Sequence, residues 1–124
     1  MSLYGLSDPR FIATLGGMYF MNGEFTEAEK IFAESVKQEL SRSEAYIVHF
    51  NPRDPADRSR PLRVEGVVAD VRLGYAFLDA LRYSKIFCPG SKFGGIKMVR
   101  GARLSFEICF CAKGPTADKL RVRQ

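Results

Sequence analysis

Tyr75 and Phe77 stand two apart in the run Gly74-Tyr75-Ala76-Phe77-Leu78. In a strand, side chains alternate between faces, so the two rings share one face and Gly74, Ala76 and Leu78 share the other. Facing inward, the rings are ordinary packing. Facing outward, they offer a π surface that needs a partner. Little else in the chain suggests reaction chemistry. His49 is the one histidine, and no nearby constellation of cysteine, serine or carboxylate completes a mechanism with it. Cys88, Cys109 and Cys111 make an odd count without framework spacing, which argues against a disulfide-stapled secreted domain. Cys109-Phe110-Cys111 is too short to be a metal site by itself, and a zinc site wants four ligands of these types. No paired carboxylates, nucleophile–base pair or metal cluster can be picked out. The expectation is therefore a non-enzyme with no metal and no cofactor.

The elements that would carry these residues fall into two parts, and charge separates them first. Residues 1–44 hold 4 Lys/Arg and 7 Asp/Glu, a net of −3, whereas residues 45–124 hold 15 and 7, a net of +8. An acidic segment followed by a basic one suggests two modules with different partners. A basic surface attracts nucleic acid, anionic lipid or acidic protein. No apolar run approaches the roughly 20 residues needed to span a bilayer, and no charged and apolar tract of a signal peptide follows Met1-Ser2-Leu3. Free thiols fit a reducing compartment, so a cytoplasmic location and no membrane partner are expected.

Residues 9–41 have helical periodicity. Phe11, Leu15, Met18, Tyr19 and Asn22 form a stripe with Ile12 beside it. Ser7-Asp8-Pro9 supplies a start signal, and Asn22-Gly23-Glu24 a break. Thr26 and Glu29 have the spacing of a capping box for a second helix, with Ala28, Ile31, Phe32, Ser35 and Val36 as its apolar face. So short a turn makes the helices antiparallel neighbours. Residues 45–50 read as a short β-type run. Residues 51–61, with three prolines among charged residues, read as a linker. Strands are expected at 62–72, 74–80, 84–89, 102–112 and 118–123, separated by glycine- and proline-bearing turns. Leu104, Phe106, Ile108 and Phe110 share one face of the fourth. Five short strands in about sixty residues suggest a small barrel, such as the oligonucleotide-binding fold.

The helical pair resembles one tetratricopeptide repeat. The family's spacing falls on Leu15-Gly16, Tyr19, Gly23, Phe25, Ala28 and Phe32; Ile12, Ser35 and Leu40 depart from it. A generic helical hairpin is the plainer alternative. One repeat cannot bury both faces of its helices. The expectation is thus a hairpin with an exposed apolar side that meets upstream repeats, a protein partner or a second copy. The chain would then be the C-terminal end of a longer repeat protein.

Residues 62–123 are similar to the bacterial cold-shock domain. The likeness lies in Glu65-Gly66-Val67-Val68, Gly74 to Leu78, Ile86-Phe87-Cys88, Arg100 to Phe106 and Ala112 to Ala117. It implies a five-stranded barrel that binds single-stranded RNA or DNA. Carried over, Tyr75 and Phe77 face solvent, Phe87 joins them from the next strand, and Lys85, Lys92, Lys97, Arg100 and Lys113 follow the phosphates. Three of the family's stacking positions are absent here, falling on Asp70, Pro89 and Gly90. At about 1–3 kcal/mol per stacked base, their loss weakens binding at least a hundredfold.

The expected fold class is α+β: an antiparallel helical hairpin (1–44), a short strand and linker (45–61), and a five-stranded antiparallel barrel of oligonucleotide-binding type (62–124). The expected function is weak, sequence-tolerant binding of single-stranded RNA or DNA, with the helices for protein contacts. The alternative is a protein-interaction or regulatory terminal module whose barrel has lost nucleic-acid binding.

Overall fold

The computed structural model describes residues 8–38 and 40–123, so Met1-Ser2-Leu3, Ser7 of the expected cap and the last residue lie outside it. The chain divides into two compact units. One comprises the described residues up to Asn51 together with Phe110–Gly114; the other comprises Pro52–Cys109 and the residues from Pro115 onward.

In the first unit, helix α1 spans Pro9–Met21. Asp8 caps it, its carboxylate accepting from the Arg10 backbone N–H at 2.8 Å, and Pro9 fills the first turn, where a missing N–H does no harm. Gly23 turns the chain with φ +81°, and α2 follows directly over Phe25–Ala33. The Thr26–Glu29 capping box does not form. Glu24 is the cap residue, which puts Thr26 already inside the first turn. The capping box lies instead at Ser41 and Glu44, at the start of the short helix α3, Arg42–Ala45. A 3₁₀ segment, Glu34–Gln38, extends α2. The β-type run expected at 45–50 is no strand. It starts as the end of α3, and Phe50 alone makes a bridge, to Phe110.

The apolar stripe of α1 is also displaced from expectation. Ile12, Ala13, Gly16, Gly17 and Phe20 are buried, while Phe11 and Met18 are 64% and 56% exposed. Glycine explains the shift. A Cβ on Gly16 would lie 2.4 Å from the Phe32 ring, and one on Gly17 equally close to the Phe50 ring. The bare side of the helix admits large rings, so it becomes the packed side. Phe110 is the hub of this core, its ring 5.3 Å from Phe20, 5.6 Å from Phe50 and 6.2 Å from Phe32, centroid to centroid.

In the second unit, the stretch read as a linker holds a two-stranded hairpin, β1 Arg53–Asp54 with β2 Asp57–Pro61. Then come β3 Arg63–Arg72, β4 Tyr75–Ala80, β5 Tyr83–Pro89, β6 Arg103–Cys111 and β7 Gly114–Val122, with the last residues of β6 and the first of β7 counted in the other unit. They close into a barrel in the order β3-β4-β5-β7-β6. The sheet is mixed rather than all antiparallel. β5 and β7 run parallel, with Phe87 opposite Thr116. A closed barrel imposes this, because β7 must fill the gap between β5 and β6 in whatever direction its hairpin with β6 dictates. Val68, Leu78, Ile86, Leu104, Phe106 and Ile108 fill the interior, each at most 1% exposed.

Two-residue turns join the meander. Leu73-Gly74 closes β3 to β4, with Gly74 at φ +86°. Leu81 and Arg82 close β4 to β5 with φ of +54° and +65°, values that both central positions of a mirror-type hairpin turn require. No helix among the described residues is long and apolar enough to cross a membrane.

Candidate functional site

Alternation along β4 settles which way the rings point. Ala76 and Leu78 are fully buried, so Tyr75 and Phe77 take the outer face, with Tyr75 37% exposed and Phe77 half-buried. β5 behaves likewise: Ile86 and Cys88 point in, and Lys85, Phe87 and Pro89 point out. Register then joins the two strands, because Phe77 lies directly opposite Phe87 and Tyr75 opposite Pro89. The three rings meet in a triangle, with centroids 5.7 Å apart from Tyr75 to Phe77, 5.7 Å from Tyr75 to Phe87 and 6.1 Å from Phe77 to Phe87. The contacts are tilted or edge-on, as aromatic quadrupoles favour. Because the rings touch one another, they enclose no cage. What they offer is an outward surface of ring faces and edges.

β3 extends this surface with charge. A bulge at Ala69 resets the register, after which Asp70 faces Phe77 and Arg72 faces Tyr75. Directly opposed residues project from the same side of a sheet, so both charges flank the rings. Arg72 Nε donates to Asp70 Oδ2 at 2.7 Å. That hydrogen bond, and then the carboxylate charge, raise the arginine pKa further above its ordinary range. Asp70, expected only as a missing stacking position, thus has its charge paired with a cation that is not among the expected site residues. The signal for Arg72 was present: a two-residue turn at Leu73-Gly74 places position 72 opposite position 75.

The expected basic residues are placed unequally. Lys85 shares the outer face of β5 with Phe87. Lys92 sits in a short 3₁₀ turn after β5, where its ammonium is 3.2 Å from Asp118, so an acidic neighbour already holds it. Lys97 and Arg100 are exposed in the connection to β6. Arg100 lies in a turn braced on β3: the Gly101 N–H donates to the Val68 carbonyl at 2.8 Å, and the Val68 N–H to that of Ala102 at 2.9 Å. These bonds hold the backbone that follows Arg100 against β3 next to the bulge. Lys113 belongs to the helical unit.

Gly90, one of the positions where the cold-shock resemblance would call for a stacking ring, has a structural duty. Its N–H donates to the Gly74 carbonyl at 2.8 Å, and a Cβ there would stand 2.6 Å from that oxygen. The β3–β4 turn thus closes over the end of β5, which leaves no room for a ring. The cysteines are packing residues. Burial pushes the Cys88 thiol up to about 12 and that of Cys109 to about 11, with Asp118 adding to both, and burial raises Cys111 as well. Such thiols stay protonated and unreactive at neutral pH. His49 donates its backbone N–H to the Phe110 carbonyl at 3.0 Å. No group of His, Cys, Asp and Glu that could hold a metal occurs among the described residues.

In comparison with known proteins, the chain matches no family model, no curated protein and no solved structure. The fold and site therefore define no more than a class: a closed five-stranded barrel with an outward aromatic cluster, accompanied by a helical unit.

Proposed function

We propose that the protein is a non-catalytic binding module whose barrel, of oligonucleotide-binding and cold-shock-like type, takes single-stranded RNA or DNA weakly and with broad sequence tolerance. The observation that carries the reading is the contact triangle of Tyr75, Phe77 and Phe87 on the outer barrel face, with Arg72 and Lys85 on that face and Arg100 braced nearby. Stacking rings beside backbone-tracking cations is the arrangement that single strands require. The strand order supports the barrel type. β6-β3-β4-β5 is a Greek key, three consecutive strands and a fourth returned beside the first, and β7 closes it. Three buried free thiols fit a reducing cytoplasm.

Fluorescence anisotropy with labelled octauridine and octathymidine tests this. The expected dissociation constant is micromolar or poorer at physiological salt, as for unspecific binders. No binding even at low salt rejects the reading.

A second reading is favoured by the helical unit. Phe11 and Met18 are exposed on α1, and Leu15, Met18 and Tyr19 line an open groove with Asn22 and Glu24. If the unit is a tetratricopeptide-like hairpin, this side meets another hairpin, whether an upstream repeat, a protein partner or a second copy. Light scattering of the protein and of a Phe11→Glu, Met18→Glu variant distinguishes self-association through this side from a monomer.

A further inference from the structure

A carboxylate beside a stacking ring discriminates among bases by what their edges present. Asp70 stands directly opposite Phe77 on the outer face. Arg72 occupies its Oδ2, while Oδ1 has no partner among the described residues, and the side chain is 44% exposed. An ionised carboxylate only accepts hydrogen bonds, with about four lone-pair sites over its two oxygens. Arg72 uses one, and its charge offsets the repulsion that the carboxylate would exert on a phosphate.

We infer that Asp70 biases the position stacked on Phe77 toward guanine. The inference rests on the reading that a single strand lies on this face. Guanine alone presents two adjacent donors, N1–H and N2–H, on its pairing edge, and these match a carboxylate two-to-two. Cytosine presents one amino donor beside an acceptor, and adenine does the same. Uracil and thymine present one N–H between two carbonyl oxygens, which the carboxylate repels. Tyr75 and Phe87 have no directly opposed carboxylate, their cross-strand partners being Arg72 and Pro89 for the first and Phe77 and Thr116 for the second. The bias therefore belongs to one base position, and the rest of the surface stays tolerant.

The test uses three labelled octaribonucleotides: octauridine, the same strand with one central guanosine, and the same strand with inosine there, which keeps N1–H and lacks the N2 amino group. The full chain is expected to bind the guanosine strand about tenfold tighter than octauridine, within the range of a bidentate base contact. Inosine is expected to forfeit most of that gain without any change to the protein. Asp70→Asn is expected to erase the preference and to hold octauridine as well or better, with an unchanged thermal melt. Equal binding of the three strands by the parent, or a preference that survives in a folded Asp70→Asn protein, overturns the inference and leaves the nucleic-acid reading standing. Failure to bind any of the three strands overturns both.

Discussion

If the barrel binds single strands as proposed, single residues in its wall affect affinity and stability separately, and measurement can tell the two apart. Tyr75→Ala, Phe77→Ala and Phe87→Ala should each weaken single-strand binding by about 1–3 kcal/mol, the value of one stacked base. Because Phe77 and Phe87 are half-buried against each other, their loss also lowers stability, though by less than the roughly 3–5 kcal/mol of a core phenylalanine. Titrations alongside thermal melts distinguish the two effects. Unchanged affinity in all three variants removes the rings from the binding surface.

The buried thiols act on stability through pH. Their folded pKa values lie above the unfolded value near 9, at about 12 for Cys88 and about 11 for Cys109. Below pH 9 both states hold these protons and stability is whole. Above it the unfolded chain loses them first, so stability falls until the folded values are passed. Each such thiol contributes a slope of about 1.4 kcal/mol per pH unit. Cys88→Ala is expected to flatten the decline between pH 9 and 11 in urea melts, despite a lower starting stability from lost packing. An unchanged slope refutes the assignment. Ser35 is a further single-residue case. It is 2% exposed, and its hydroxyl lacks a hydrogen bond among the described residues. Ser35→Ala is expected to stabilise by about 1 kcal/mol.

Among the elements, what the sequence disclosed depended on whether side-chain type or chain closure decided the outcome. β4 and β6 were legible because Ala76 and Leu78, and then Leu104, Phe106 and Ile108, alternate cleanly and are all buried. The packed face of α1 was not, because its large apolar residues mark the side with Phe11 and Met18, while the side that packs is marked by Gly16 and Gly17, whose lack of a side chain admits the Phe32 and Phe50 rings. β1 and β2 escaped notice since their residues are mostly exposed and charged, which makes them resemble a linker. The parallel β5–β7 pair could not be read at all, as closure sets it and no local pattern does. Of the site, Tyr75, Phe77 and Phe87 were legible as a set. The ion pair beside them required cross-strand register. The β4–β5 turn adds an expectation of its own. Leu81 and Arg82 both hold a left-handed backbone, which costs branched or long side chains about 1 kcal/mol each. Replacing them together with Asn-Gly should raise stability by about 1–2 kcal/mol. A lower melting temperature contradicts the turn assignment.

At the scale of the whole molecule, the sequence carries a net charge of +5 that combines an acidic N-terminal part with a basic remainder. Counterion release from a single strand gives a log–log salt slope of about −0.7 per phosphate neutralised. Arg72 is already held by Asp70, so with Lys85, Lys97 and Arg100 as contacts a slope of roughly −2 is expected for octauridine. Lys92→Ala should change it little, since Asp118 already holds that ammonium. A slope near zero would mean that the cations do not follow the strand.

The position of Phe110 has a consequence for how the chain comes into being. The aromatic hub of the helical unit is encoded about sixty residues after the last helix-side segment that it joins. During synthesis, α1 and α2 leave the ribosome with the centre of their core still untranslated. They must wait, incompletely packed, for most of the barrel to be made. No single cut in the gene separates this unit as a continuous piece. A fragment ending at Asn51 is expected to show little stable helix by circular dichroism, even though α1, α2 and α3 are all present in it.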